Sequence, residues 1–242
     1  MGDKKKSLDV LGLAPYGEAI NTLARGLVEG AGAFLGRILL PAAEEFGLYL
    51  RDGVAAWRGK NSVSILGKAE RMLDGHPSDN LHAHPRLVMR VLESGSWTDD
   101  DSLQEMWAGL LASSCSIDGR DESNLIFINL LSQLTSSEVR VLNFACKTAT
   151  ARLTPAGWLD TDVNMRRVEE LGEVSGQSDF HRMDRELDHL RSLGLLSVDS
   201  GFKGEAEQKI ANVCPSTLGL QLFALSHGHR GPPEEFFGLA RP

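Results

Sequence analysis

Apolar residues recur along most of this chain at helical spacing. In Ser96–Ser116 (SWTDDDSLQEMWAGLLASSCS), Leu103, Met106, Trp107, Leu110 and Leu111 fall at i, i+3, i+4, i+7 and i+8, a stripe on a 3.6-residue period that predicts a core helix. Thr98 followed three residues later by Asp101 has capping-box spacing, and Asp99–Asp101 place negative charge where the helix dipole is positive.

Upstream, Tyr16 to Leu40 sets Ile20, Leu23, Leu27, Phe34, Ile38 and Leu39 near one face. Four glycines, Gly26, Gly30, Gly32 and Gly36, allow close backbone approach there, each costing about 1 kcal/mol of helix propensity. Pro41 can open a new helix, and Ala42 to Arg58 continues with Phe46, Leu50, Val54 and Trp57. A further amphipathic helix is predicted over Ser62 to Leu73 and a short one over Pro85 to Glu93. Beyond the central helix, Phe127, Leu130, Leu131 and Leu134 repeat the core spacing, and Thr135–Glu138 (TSSE) is a second capping box leading into Val139, Leu142 and Cys146. Residues 16–134 therefore read as a helical bundle behind a flexible leader, 1–15.

The pattern changes after Ala151. Arg152 to Thr161 reads as a loop and Val163 to Leu171 as a helix, followed by a second helix over Ser178 to Leu193 with Phe180, Met183, Leu187 and Leu190 as its apolar face. Leu195–Val198 and Lys209–Cys214 look like two short strands, and Pro215–Leu225 like a final helix. Helices followed by two strands with a loop between them is the order of a winged-helix module, placed here at residues 135–226. The Pro- and Phe-containing stretch 227–242 is expected to be a disordered tail or an added contact. The fold class is mainly α: an N-terminal helical bundle followed by a winged-helix-like α+β module.

Composition narrows the functional classes. The chain has 242 residues, 42% of them hydrophobic, which suffices for a real core. Its net charge is −8 and its isoelectric point about 5.4, so the molecule repels nucleic acid and anionic lipid at long range. Up to Leu134 there are 13 basic and 18 acidic residues, and afterwards 12 and 15, so neither half is a basic module. On the third helix of the C-terminal module, Arg182, Arg185 and Arg191 are the candidate nucleic-acid contacts, but Asp184, Glu186 and Asp188 balance them. Cys115, Cys146 and Cys214 are odd in number and sit among apolar neighbours, as reduced buried thiols do. The N-terminus lacks a cleavage site after its basic patch, and the most apolar run, Ala31–Ala43, contains Arg37 and Pro41; a bilayer span needs about 20 apolar residues. The expected location is cytoplasmic, or peripheral to the inner membrane through Phe34, Arg37, Ile38 and Leu39, the candidate membrane or partner contacts.

Catalytic and metal chemistry find little purchase. His76, His82 and His84 with Asp79 form a histidine-rich linker without a convincing further ligand, and His181 and His189 lie two helical turns apart. There is no Gly-x-Ser-x-Gly elbow, and the AGAFLG segment lacks the features of a phosphate loop. Cys115 has no basic neighbour to activate it. No catalytic, cofactor or metal residue is assigned, and the chain is expected not to be an enzyme.

Several stretches together resemble the Abi-alpha (abortive infection alpha) family of bacterial proteins. They are LLPAAEEFGLYLRDGVAAWRGKN, SWTDDDSLQEMWAGLLASS, INLLSQLTSSEVRVLNF, LDHLRSLGLLSV and CPSTLGLQLF, which span roughly residues 16–226. The resemblance implies a role in phage defence and brings no catalytic residues with it. On this basis the expected function is a non-enzymatic component of bacterial antiviral defence. It would act by binding a protein partner from a defence system or the phage, or by inner-membrane association; a homo-oligomer is compatible with this reading, and nucleic acid is not an expected partner. The alternative is a winged-helix DNA-binding transcriptional regulator.

Overall fold

The computed structural model describes residues 55–73, 81–203 and 209–239. These residues fall into two compact units: one runs up to Ser132 and takes in Ser226–Gly228, and the other comprises Gln133–Leu225 and the residues from His229 onward. The predicted helix over 16–40, the leader, and most of the predicted helix 42–58 lie outside the described residues.

In the N-terminal unit, α1 (Ala55–Leu73) packs along α3 (Asp101–Ser113), with α2 (Pro85–Gly95) and α4 (Leu125–Leu131) against them. A two-residue antiparallel pair, β1 (His82–Ala83) with β2 (Cys115–Ser116), joins the start of α2 to the end of α3. The predicted stripe of α3 is the core: Leu103, Met106, Trp107, Leu110 and Leu111 are all buried, against Ile65 and Leu66 of α1 and Leu87, Val91 and Leu92 of α2.

Two expectations need correction here. The chain does not break near Gly59–Asn61, because a buried polar seam holds that turn inside α1. Asn61 Nδ2 donates to the Ser96 carbonyl at 3.0 Å, and Arg58 Nε donates to Ser96 Oγ at 2.9 Å while its guanidinium stacks 4.3 Å from the Trp97 ring centroid. The cap of α3 is Asp100, whose carboxylate accepts from Leu103 N at 3.0 Å; Thr98 Oγ1 instead accepts from Asp100 N. An aspartate closer to the first turn satisfies the free N–H with a charged acceptor, which outcompetes the threonine hydroxyl.

The C-terminal unit begins with α5 (Ser136–Thr148), where the predicted capping box is present in full between Thr135 and Glu138. Residues read as a loop form the antiparallel hairpin β3 (Ala151–Leu153) and β4 (Leu159–Thr161), turned at Gly157. The predicted helix 163–171 is instead β5 (Met165–Arg167) running into α6 (Val168–Ser175). Next come α7 (Phe180–Ser192), β6 (Gly201–Lys203), β7 (Ile210–Asn212) and α8 (Thr217–Leu225). The first wing strand was expected at Leu195–Val198, but those residues make only the isolated bridge Leu196 to Pro215, and the strand forms at Gly201–Lys203. Leu195 and Leu196 are buried, so their apolar character serves packing and not a ladder.

The three-stranded sheet has the order β5-β7-β6, antiparallel throughout, with Met165 opposite Asn212 and Phe202 opposite Ala211. Its core is Val139, Leu142, Ala145, Leu187, Leu190, Ala211, Val213 and Leu220. The stretch expected to be a disordered tail carries a one-turn helix, α9 (Pro233–Phe236). Phe236 and Phe237 lie edge-on and stacked against Phe223 of α8, at centroid distances of 5.7 and 6.3 Å.

Candidate functional site

A groove of about 770 Å³ lies between α6, the start of α7 and the β6–β7 ribbon. Three local features shape it. At its upper end α6 grows directly out of β5, and Val168 N donates to the Lys209 carbonyl at 2.9 Å, which binds the helix start to the ribbon. At its lower end α6 stops at Gly176, whose φ of 71° is left-handed and suits a residue without a Cβ. Asp179 then caps α7 by accepting from His181 N and Arg182 N, so that Phe180 occupies the first helical position.

That position turns Phe180 away from the core. It is 47% exposed, whereas Met183, Leu187 and Leu190 of the same predicted face are buried. Its ring stacks on Phe202 of β6, with centroids 4.2 Å apart and planes at 24°. Val168, Met183 and Ile210 complete the apolar floor.

The rim carries charge of both signs. Glu169 and Glu173 stand one turn apart on α6, and so share a face. Lys203 and Lys209 lie on the ribbon across from them, adjacent because Lys203 pairs with Ile210. Lys209 Nζ comes within 4.0 Å of Glu169, but both side chains are well exposed and such a pair contributes little. Glu173 and Lys203 have no ion-pair partner among the described residues.

The residues singled out by sequence are dispersed. Phe34, Arg37, Ile38 and Leu39 lie outside the described residues. Arg182 Nε donates to Glu186 Oε1 at 3.0 Å, and the other oxygen of this buried carboxylate accepts from Ser137 Oγ at 2.6 Å. Arg191 donates to the Ser200 carbonyl at 2.9 Å and pairs with Asp188 at 2.7 Å. Of the three arginines only Arg185 is exposed with no such tie among the described residues, so they form no basic surface there.

His189 faces Glu138, and His84 caps α2 by accepting from Arg86 N at 3.2 Å. Among the described residues no group of three metal-binding side chains converges. The three cysteines are buried and form no disulfide, and burial pushes the Cys146 thiol far above its ordinary range, the reverse of what a nucleophile needs. No helix among the described residues is long and apolar enough to cross a membrane.

The sequence reading missed the groove because it assigned Phe180 to the core face and placed no strand at Phe202. The available signal was Asp179, a cap that fixes Phe180 at the helix entry. The family model described as abortive infection alpha matches residues 60–216, a stretch that contains every residue of the groove. No curated protein and no solved structure matches the chain.

Proposed function

The chain belongs to the abortive infection alpha family, and from that membership we propose that it is a non-enzymatic component of bacterial antiviral defence that works by binding a protein partner. The observation carrying the partner-binding half is the groove beside α7: a stacked, partly exposed aromatic pair with charge of both signs at its rim. Large apolar side chains exposed in a concavity are a common feature of recognition sites.

We read the C-terminal unit as winged-helix-like, on the order α5, β5, α6, α7, β6, β7 and the antiparallel β5-β7-β6 sheet. A DNA-binding role for that module draws no support from its charges. Arg182 and Arg191 are held by Glu186 and Asp188, and a duplex approaching the groove would meet Glu169 and Glu173 as well as lysines.

The test is a plaque assay. Cells expressing the gene should give fewer plaques than empty-vector cells with at least one phage of a panel that infects the host, and infected cells should die before releasing progeny. Equal plaque counts across the panel would overturn the defence reading.

A further inference from the structure

Resting on the partner-binding reading, we propose that the groove between α6 and the β6–β7 ribbon captures a peptide segment of a partner protein. That segment bears one large apolar side chain, with a basic residue on one flank and an acidic residue on the other. The apolar side chain seats on the Phe180–Phe202 stack, where Phe180 keeps nearly half its surface in solvent. Leaving that apolar area in water is unfavourable, and docking removes it from solvent.

The flanks follow from the walls. Glu169 and Glu173, both on the outer face of α6, attract a lysine or arginine. Lys203, on the edge strand opposite, attracts an aspartate or glutamate. Glu173 and Lys203 find no ion-pair partner among the described residues, so both charges are available to a ligand. A groove of about 770 Å³ is of the size that encloses a few side chains.

The same balance of charge distinguishes the occupant. A nucleic acid would need a surplus of cations, and an anionic membrane surface a basic face; the groove presents two lysines against two glutamates.

The experiment uses the full-length chain, immobilised and panned against a random dodecapeptide library displayed on phage, with Phe180→Ser and Lys203→Glu tested alongside. Wild type should enrich peptides with a large apolar residue between a basic and an acidic one. Lys203→Glu, at an exposed strand position, should replace the acidic flank of the selected peptides with a basic one. Phe180→Ser should lower enrichment by about tenfold or more, with far-UV circular dichroism unchanged.

Peptides without this pattern, a pattern that Lys203→Glu leaves unaltered, or no enrichment over bare resin would each overturn the proposal. So would a dimer that Lys203→Glu dissolves in sedimentation, which would make a second copy the occupant, or binding of a short DNA duplex lost in the same variant. These failures are separable from failure of the defence reading. A wild-type chain that protects cells but selects no such peptide sinks the groove proposal alone, and one that fails to protect sinks the defence reading whatever the library returns.

Discussion

Glu138 and His189 join the first and third helices of the C-terminal unit: Nδ1 of His189 lies 2.6 Å from Oε1 of Glu138, a carboxylate only 2% exposed as a residue. Its other oxygen accepts from both Thr135 N at 2.7 Å and Thr135 Oγ1 at 2.9 Å. One side chain therefore closes the capping box of α5 and fixes α7, whose N-terminus carries Phe180. Replacing Glu138 by alanine strips three donors of their acceptor. Urea denaturation should show a loss of about 2 kcal/mol, more than an N-cap deletion alone. His189→Ala should cost less, because its ring is partly exposed and the capping box survives.

Gly109 on α3 permits a close backbone approach. A Cβ there would lie 1.8 Å from the Ser226 carbonyl oxygen and 2.1 Å from its carbon, atoms that cannot rotate aside. Gly109→Ala should destabilise by about 3 kcal/mol, the upper end of overpacking costs. Gly67 is the contrast: within α1, its added Cβ would meet, among the described residues, only the tip of Arg71 at 3.7 Å. Gly67→Ala should stabilise by about 0.5–1 kcal/mol, and thermal melts of the two variants should move in opposite directions.

The Cys146 thiol gives a pH dependence of definite sign. Burial raises its pKa in the folded chain well above the ordinary 9.0, so above that pH the unfolded chain loses a proton that the folded chain keeps. Stability from this group is complete below pH 9 and falls as pH rises further. Cys146→Ala should flatten the alkaline arm of a stability–pH curve relative to wild type, and in the native protein Cys146 should react with a thiol reagent only as fast as the chain opens.

These cases show what the sequence made legible. The α3 stripe and the TSSE box were readable because both rest on local spacing, and the mainly α character follows from many such stripes. The β3–β4 hairpin, β5 and β6 were not. Each is only three residues long, too short for a period-two pattern to show, and β5 exists because β7, remote in sequence, supplies its hydrogen bonds. The Gly109 contact was hidden for the same reason, since its partner Ser226 is over a hundred positions away. The groove was half legible: Asp179 announced the start of α7, but nothing in the sequence paired Phe180 with Phe202.

Arg185 separates the two readings of α7. It is exposed and lies outside the groove lining, so Arg185→Ala should leave stability within about 0.5 kcal/mol and phage protection at the wild-type level. In a gel shift with the gene's own upstream DNA at low salt, both proteins should leave the duplex unshifted. A shift that weakens in Arg185→Ala would point to the regulator instead.

The most direct test of defence through the groove is the efficiency of plating on cells expressing wild type, Phe180→Ser or Lys203→Glu at equal, folded protein levels. Wild type should depress plating, and both variants should restore it toward the empty-vector value. Full protection by both variants would contradict the account.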